Sequence, residues 1–160
     1  RLSNICSAIG GLAALAACAI SIPPPVPADL ERITYDPSPP FMCDPCDTRA
    51  VTVGADDRIW IEERRRGLTS PWIVHRRLVQ AEPGTYSRFR QDLEPWRPLI
   101  ASLIISTDEG CRDHLSDQAE AMITWAGPSG TVRRVIDYGC LDHRQMNELI
   151  DDAVDRLPVQ

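Results

Sequence analysis

The chain has 160 residues, 6% of them aromatic, 14 prolines and a formal charge of −6. That length allows one domain with a core of its own. The acidic balance excludes non-specific nucleic-acid binding, which depends on neutralising phosphates; no nucleic-acid partner is expected.

In chain order, Ile5 to Ile22 is nearly all apolar or small, preceded by Arg1 and followed by Pro23-Pro24-Pro25. A positive start, an apolar stretch and small residues at its end make a secretory signal. Inside it, Leu15-Ala16-Ala17-Cys18 resembles the lipobox of bacterial lipoproteins. In that pattern the small residue admits the signal peptidase, and the thiol of Cys18 takes a diacylglyceryl group. The expectation is a signal peptide over residues 1–17, lipidation at Cys18, a Pro-rich tether over 18–29 and one domain over 30–160. Two other readings compete. Ile5–Ile22 is 18 residues long, which is short but sufficient for a membrane anchor, and an ordinary signal would release a soluble protein. Ala19 stands where an inner-membrane retention Asp would stand, which favours the outer membrane. All three readings place residues 30–160 outside the cytoplasm, facing the periplasm. Ala19–Asp29 carries four prolines in eleven residues and excludes helix and central strand. As polyproline II it would hold the domain roughly 30 Å off the bilayer.

Glu31–Tyr35 alternates as a short strand, which Asp36–Pro40 should break. Arg49–Val53 and Arg58–Glu63 are β-rich runs separated by Gly54-Ala55-Asp56-Asp57, a hairpin signal. Trp72–Val79 is a further strand. Pro83 opens a helix with Tyr86, Phe89, Arg90 and Leu93 on one face, and Pro95 ends it. Leu99–Ser106 fits a buried strand or a short helix. A second hairpin pairs Glu120–Trp125 with Thr131–Tyr138. Asp142, with Gln145 three residues on, has the capping-box pattern for a closing helix. That helix places Met146, Leu149, Ile150, Ala153, Val154 and Leu157 on one face, and Pro158 stops it. The fold class is α+β: an antiparallel sheet built from hairpins, with two amphipathic helices packed on one face.

Of six cysteines, Cys6 and Cys18 belong to the leader, and Cys43, Cys46, Cys111 and Cys140 to the domain. An even number in an oxidising compartment predicts disulfides. Cys43 and Cys46 share a Pro-containing loop, and Cys111 and Cys140 fall near one end of the second hairpin, so the expected bridges are Cys43–Cys46 and Cys111–Cys140. On the chain-entropy argument the long loop contributes roughly 3–4 kcal/mol and the short one about 2.

A thiol-redox reading rests on Cys43-Asp44-Pro45-Cys46, which resembles the thioredoxin-type dithiol. That chemistry needs the first thiol at a helix N-terminus to lower its pKa, whereas a strand follows here. A metal reading rests on Cys111-Arg112-Asp113-His114 and Cys140-Leu141-Asp142-His143, with Cys43 and Cys46 as further donors. Oxidation would consume those thiols, and Asp142 and His143 are needed to start the last helix. No cofactor or metal is therefore expected.

His75 reads as a strand histidine. Gly127-Pro128-Ser129-Gly130 is a turn rather than a nucleophile elbow. No phosphate loop occurs, and no carboxylate pair stands out. No catalytic residue is nominated, and the expectation is a non-enzyme. Arg64, Arg65, Arg66, Arg76, Arg77, Arg133 and Arg134 are candidate anion-binding residues, if their strands are neighbours and form a cationic stripe. The competing account is a solvated sheet face laced with Glu62, Glu63 and Asp137.

Cys43–Val53 (CDPCDTRAVTV), the turn and strand Gly54–Glu62 and the late Tyr138-Gly139-Cys140 are similar to an uncharacterised family of exported bacterial domains of unknown function. That family opens with Pro-Cys-Tyr/Phe-Gly-x-Cys-Pro-x-Tyr-x-Val-x-Val and continues into an Asp-Gly hairpin. The resemblance covers most of residues 31–158. It departs where two residues rather than three separate the cysteines, where Asp47 replaces the Pro, and where Arg49 stands near the usual Tyr. What it implies is an envelope lipoprotein or secreted domain, with no catalytic residue to carry over. The expected function is a binding, scaffolding or sensing module, with the membrane and an envelope protein or glycan as partners. The alternative is a Cys/His-centred metal or redox protein of the periplasm.

Overall fold

The computed structural model describes residues 23–40, 43–67, 71–99, 103–105 and 110–159. The expected signal peptide over 1–17 and the expected lipidation site Cys18 lie outside them. Strands β1 (Arg32–Ser38), β2 (Cys46–Gly54), β3 (Arg58–Arg66) and β4 (Ile73–Gln80) precede helix α1 (Thr85–Leu93) and a single-turn helix, Glu94–Trp96. Strands β5 (Leu103–Ile105), β6 (Glu120–Gly127) and β7 (Gly130–Asp137), another single turn at Leu141–His143 and helix α2 (Arg144–Asp155) follow.

The sheet runs β4-β3-β2-β1-β6-β7-β5. Six strands are antiparallel, and β5 joins β7 in parallel at the edge. Leu103–Ile105 thus resolves as a strand the segment whose pattern fitted strand or helix. The first strand is central because it joins the two hairpin groups: Ile33 faces Val53 on one side and Trp125 on the other. Alternation puts Ile33, Val51, Val53, Ile59, Ile61, Ile123, Trp125 and Ile136 on one face, all buried. Both helices cover that face with Tyr86, Phe89, Leu93, Met146, Ile150 and Ala153. Each large apolar side chain so buried stabilises by about 1.5–3 kcal/mol. The α+β architecture follows as expected, with every hairpin in place.

Four details differ from the pattern. β1 runs through Pro37 to Ser38. Its pairing with β2 stops at Tyr35↔Val51, so beyond that point its outer side is an edge, where a missing N–H can be tolerated. Asp142 does not cap α2; its carboxylate accepts the backbone N–H groups of Arg112 and Asp113 at 2.6 and 3.3 Å. Those two bonds hold its carboxyl below the usual range. The helix starts instead from the turn Leu141–His143. Leu149, expected on the apolar face, is 48% exposed, and Asn147 takes a buried place, donating to the Asp137 carbonyl at 3.2 Å. Finally, the Pro-rich segment from residue 23 onward does not stand clear of the domain: the Trp60 indole donates to the Pro24 carbonyl at 2.9 Å.

Candidate functional site

The register that makes β1 end early on one side also opens the molecule. β1 and β2 pair only over Arg32–Tyr35 and Val51–Gly54. Past that point β1 continues against β6 alone, and β2 begins against β3 alone. The strands part, and α2 with the segment Leu157–Val159 roofs the gap. The result is a cleft of about 890 Å³ lined by Tyr35, Pro37, Cys46, Arg49, Asp151 and Val154, among others. Among the described residues no strand pairs along Cys46–Ala50 on the β1 side, nor along Asp36–Ser38 on the β2 side. Two sheet edges therefore face the opening. The Cys43–Cys46 bridge closes the loop at its mouth, with Cα atoms 5.1 Å apart.

Two of the cleft's lining residues, Tyr35 and Asp151, form a chain of hydrogen bonds with Tyr138 behind them. The Tyr35 and Tyr138 hydroxyls are 2.8 Å apart, Tyr138 donates to Asp151 at 2.5 Å, and Tyr35 reaches the same oxygen at 3.5 Å. Burial pushes the Tyr35 hydroxyl up to about 12. Burial, then the bonds to Asp151 and Tyr35, raises Tyr138 as well. Burial also raises Asp151; the Tyr138 bond opposes this and the neighbouring carboxylate of Asp155 adds to it. Phenols raised in this way are neutral hydrogen-bonding groups, not nucleophiles. Tyr35 and Asp151 thus give the cleft a hydrogen-bonded polar patch, beside proline, valine and leucine side chains and the polar Thr48 and Arg49. None of the three bonded residues stood out in the sequence as a site residue: Tyr35 and Tyr138 are 103 positions apart.

The second bridge, Cys111–Cys140, has Cα atoms 5.7 Å apart, so both expected pairings are formed. The two Cys-x-Asp-His segments lie side by side around it. Leu115 N–H bonds the Gly139 carbonyl and Leu141 N–H bonds the Asp113 carbonyl, each at 2.9 Å. His114 Nε2 lies 2.8 Å from the buried Asp137 carboxylate, which also accepts the Gly139 N–H at 2.8 Å. Gly139 is required there, because a Cβ would fall 2.3 Å from the Leu115 carbonyl oxygen. The sulfurs and an Asp142 oxygen lie within 4.8 Å of one another. Joined sulfurs are not thiolates, though, and only thiolates ligate a metal strongly. The Cys43-Asp44-Pro45-Cys46 loop leads directly into β2 rather than into a helix, the element whose N-terminus activates the first thiol in thioredoxin-type dithiols.

The arginines do not form one stripe. Consecutive strand residues alternate, so Arg65 opposes Asp47 and Arg77 opposes Ile61 on the helix-covered face, while Arg76 opposes Glu62 on the other. Arg133 and Arg134 likewise point to opposite faces of β7, with β2, β1 and β6 between that strand and β3. Arg64 and Arg66 share the face of Arg76. Six of the seven arginines are also engaged, while Arg133 is exposed. Arg64 bonds Asp36 at 2.8 Å and Glu62 at 2.6 Å, Arg76 bonds Glu62 at 2.6 Å, and Arg65 pairs with Asp47 at 3.3 Å. Burial pushes Glu62 up, but the bonds from Arg64 and Arg76 outweigh it and hold the carboxyl low. Arg77 lies 3.5 Å from Glu63 and donates to the Val159 carbonyl. Arg134 is buried and donates to the Trp96 carbonyl at 2.9 Å. Arg66 stacks on Trp72, 4.8 Å from the ring centroid. This is a laced sheet. His75, also on β4, is exposed.

Among the described residues no helix is long and apolar enough to cross a membrane. No protein-family model, curated protein or solved structure matches the chain, and its function is read from its own geometry.

Proposed function

We propose that the protein is a binding module of the bacterial envelope, lipid-anchored through Cys18 and facing the periplasm, whose β1–β2 cleft holds an extended segment of an envelope protein. The observation that carries the binding reading is the parted sheet. Two backbone edges line one cleft, and an extended peptide is the ligand that satisfies strand edges while its alternate side chains meet pockets. The protonated phenols of Tyr35 and Tyr138, bonded to Asp151, suit recognition rather than turnover. Export is supported separately, by the lipobox Leu15-Ala16-Ala17-Cys18 and by four domain cysteines paired in two bridges. The resemblance to exported domains of unknown function points the same way.

The test is photo-cross-linking in cells, with a photoreactive residue at Thr48 in the cleft or, as control, at exposed Gln80 on β4. A discrete protein adduct from Thr48 and none from Gln80 is expected. Equal adducts from both sites, glycan-only adducts or none at all would overturn the peptide-binding reading. Anchoring is read by radiolabelled palmitate, whose incorporation Cys18→Ser should abolish.

A further inference from the structure

The other face of the sheet carries a second site, independent of the cleft. Register places Trp60 opposite Thr52 and Leu78, on the side away from both helices. A tryptophan there should be largely exposed. It is only 9% exposed, because residues 23–26 lie over it. Pro23, Pro24, Pro25 and Val26 border a pocket of about 240 Å³ together with Trp60 and Thr34. Each proline fixes its own φ near −65° and favours an extended residue before it, so the sequence of Pro23–Val26 suits polyproline II.

Three further features hold the chain there. Arg32 Nη1 donates to the carbonyls of Pro27, Ala28 and Leu30 at 3.2, 3.2 and 3.1 Å. The Leu30 side chain fills the space above Gly54, where a Cβ would stand 2.6 Å from Leu30 Cδ2. The Arg58 guanidinium stacks 5.1 Å from the Trp60 ring centroid and steadies the indole. An indole N–H aimed at a prolyl carbonyl, on an aromatic floor beside hydroxyl groups, is the chemistry by which proline-rich segments are recognised. The hydroxyls here are those of Thr34 and Thr52, 2.9 Å apart.

We propose that the sheet face around Trp60 is a recognition site for polyproline II segments, occupied by the chain's own Pro23–Val26. The occupant is tethered a few residues from β1. A short linker gives an effective concentration in the millimolar range, so the site is self-filled. The Pro-rich stretch is then a strap laid on the domain rather than a free spacer.

The test uses a fluorescent peptide of sequence PPPVP and three full-length proteins: the native chain, a variant with Pro23→Ser, Pro24→Ser and Pro25→Ser, and that variant with Trp60→Phe added. The strap variant should bind the peptide at least tenfold more tightly than the native chain, and Trp60→Phe should remove that gain. In the strap variant labelled with ¹⁵N, the Trp60 indole resonance should shift as peptide is added, a readout that does not depend on the folding of the Trp60→Phe protein. Equal peptide affinity for native and strap variant, or an unmoved Trp60 resonance, overturns the proposal.

Discussion

Asp57 lies in the turn between β2 and β3 with a left-handed backbone, φ 59°. From there its carboxylate accepts the N–H groups of Tyr86 and Gly84 at 2.7 and 2.8 Å. It thereby satisfies the start of α1, whose own N-cap position is Gly84 and supplies no side chain. Those bonds, Tyr86 first, hold its carboxyl low. A depressed acid stabilises the fold above its unfolded value and loses that contribution as pH falls through the folded one. Asp57→Ala should therefore cost about 1 kcal/mol at neutral pH, and urea titrations should show the gap closing in acid. Asp151 has the opposite sign. Its raised carboxyl favours the fold when protonated, and that benefit is lost as pH rises from the unfolded value through the raised folded one. The groups facing it are Tyr35, Tyr138, Asp152 and Asp155, with Asp47 and Arg49 across the cleft. Asp151→Asn keeps an acceptor for Tyr138 but does not titrate. Its unfolding midpoint should gain on the native protein between acid and neutral pH; a difference constant across pH would contradict the assignment.

α2 separates two adjacent apolar residues. Ile150 is fully buried in the core and Leu149 is 48% exposed. Ile150→Ala should cost about 2–5 kcal/mol, whereas Leu149→Ala should stay within about 0.5 kcal/mol, as measured by thermal unfolding. The contrast also shows what local pattern conveys. Period-two alternation marked β2, β3, β6 and β7, because each buries one face and its side chains carry that fact in order. The parting of β1 from β2 has no such signature, since it depends on which strands pair beyond Tyr35. Asp142 was misleading for a related reason: its capping-box spacing is local, but the N–H groups of Arg112 and Arg112's neighbour Asp113, brought close by the Cys111–Cys140 bridge, reach it first. The arginine runs were legible after all. Three consecutive strand residues cannot share a face, so Arg64, Arg65 and Arg66 could never have made one stripe.

At the scale of the whole molecule, the bridges tie parts that the sheet leaves loose. Cys111–Cys140 spans 29 positions and pins the irregular segment before β6 to the start of the last helical region. Replacing both residues by serine should cost roughly 3 kcal/mol, more than the about 2 kcal/mol for the Cys43–Cys46 pair, which closes only a short loop. A reversed order in denaturant unfolding would show that the Cys43–Cys46 bridge does more than shorten the unfolded chain. The proposed export through a lipidated Cys18 would deliver the domain to an oxidising compartment, where both bridges persist. The direct measurement is the intact mass of the protein purified from membranes after rapid thiol blocking. The account predicts a polypeptide beginning at acylated Cys18, with no blocker on Cys43, Cys46, Cys111 or Cys140. A chain that keeps residues 1–17 and carries blocker on all four domain cysteines would contradict it.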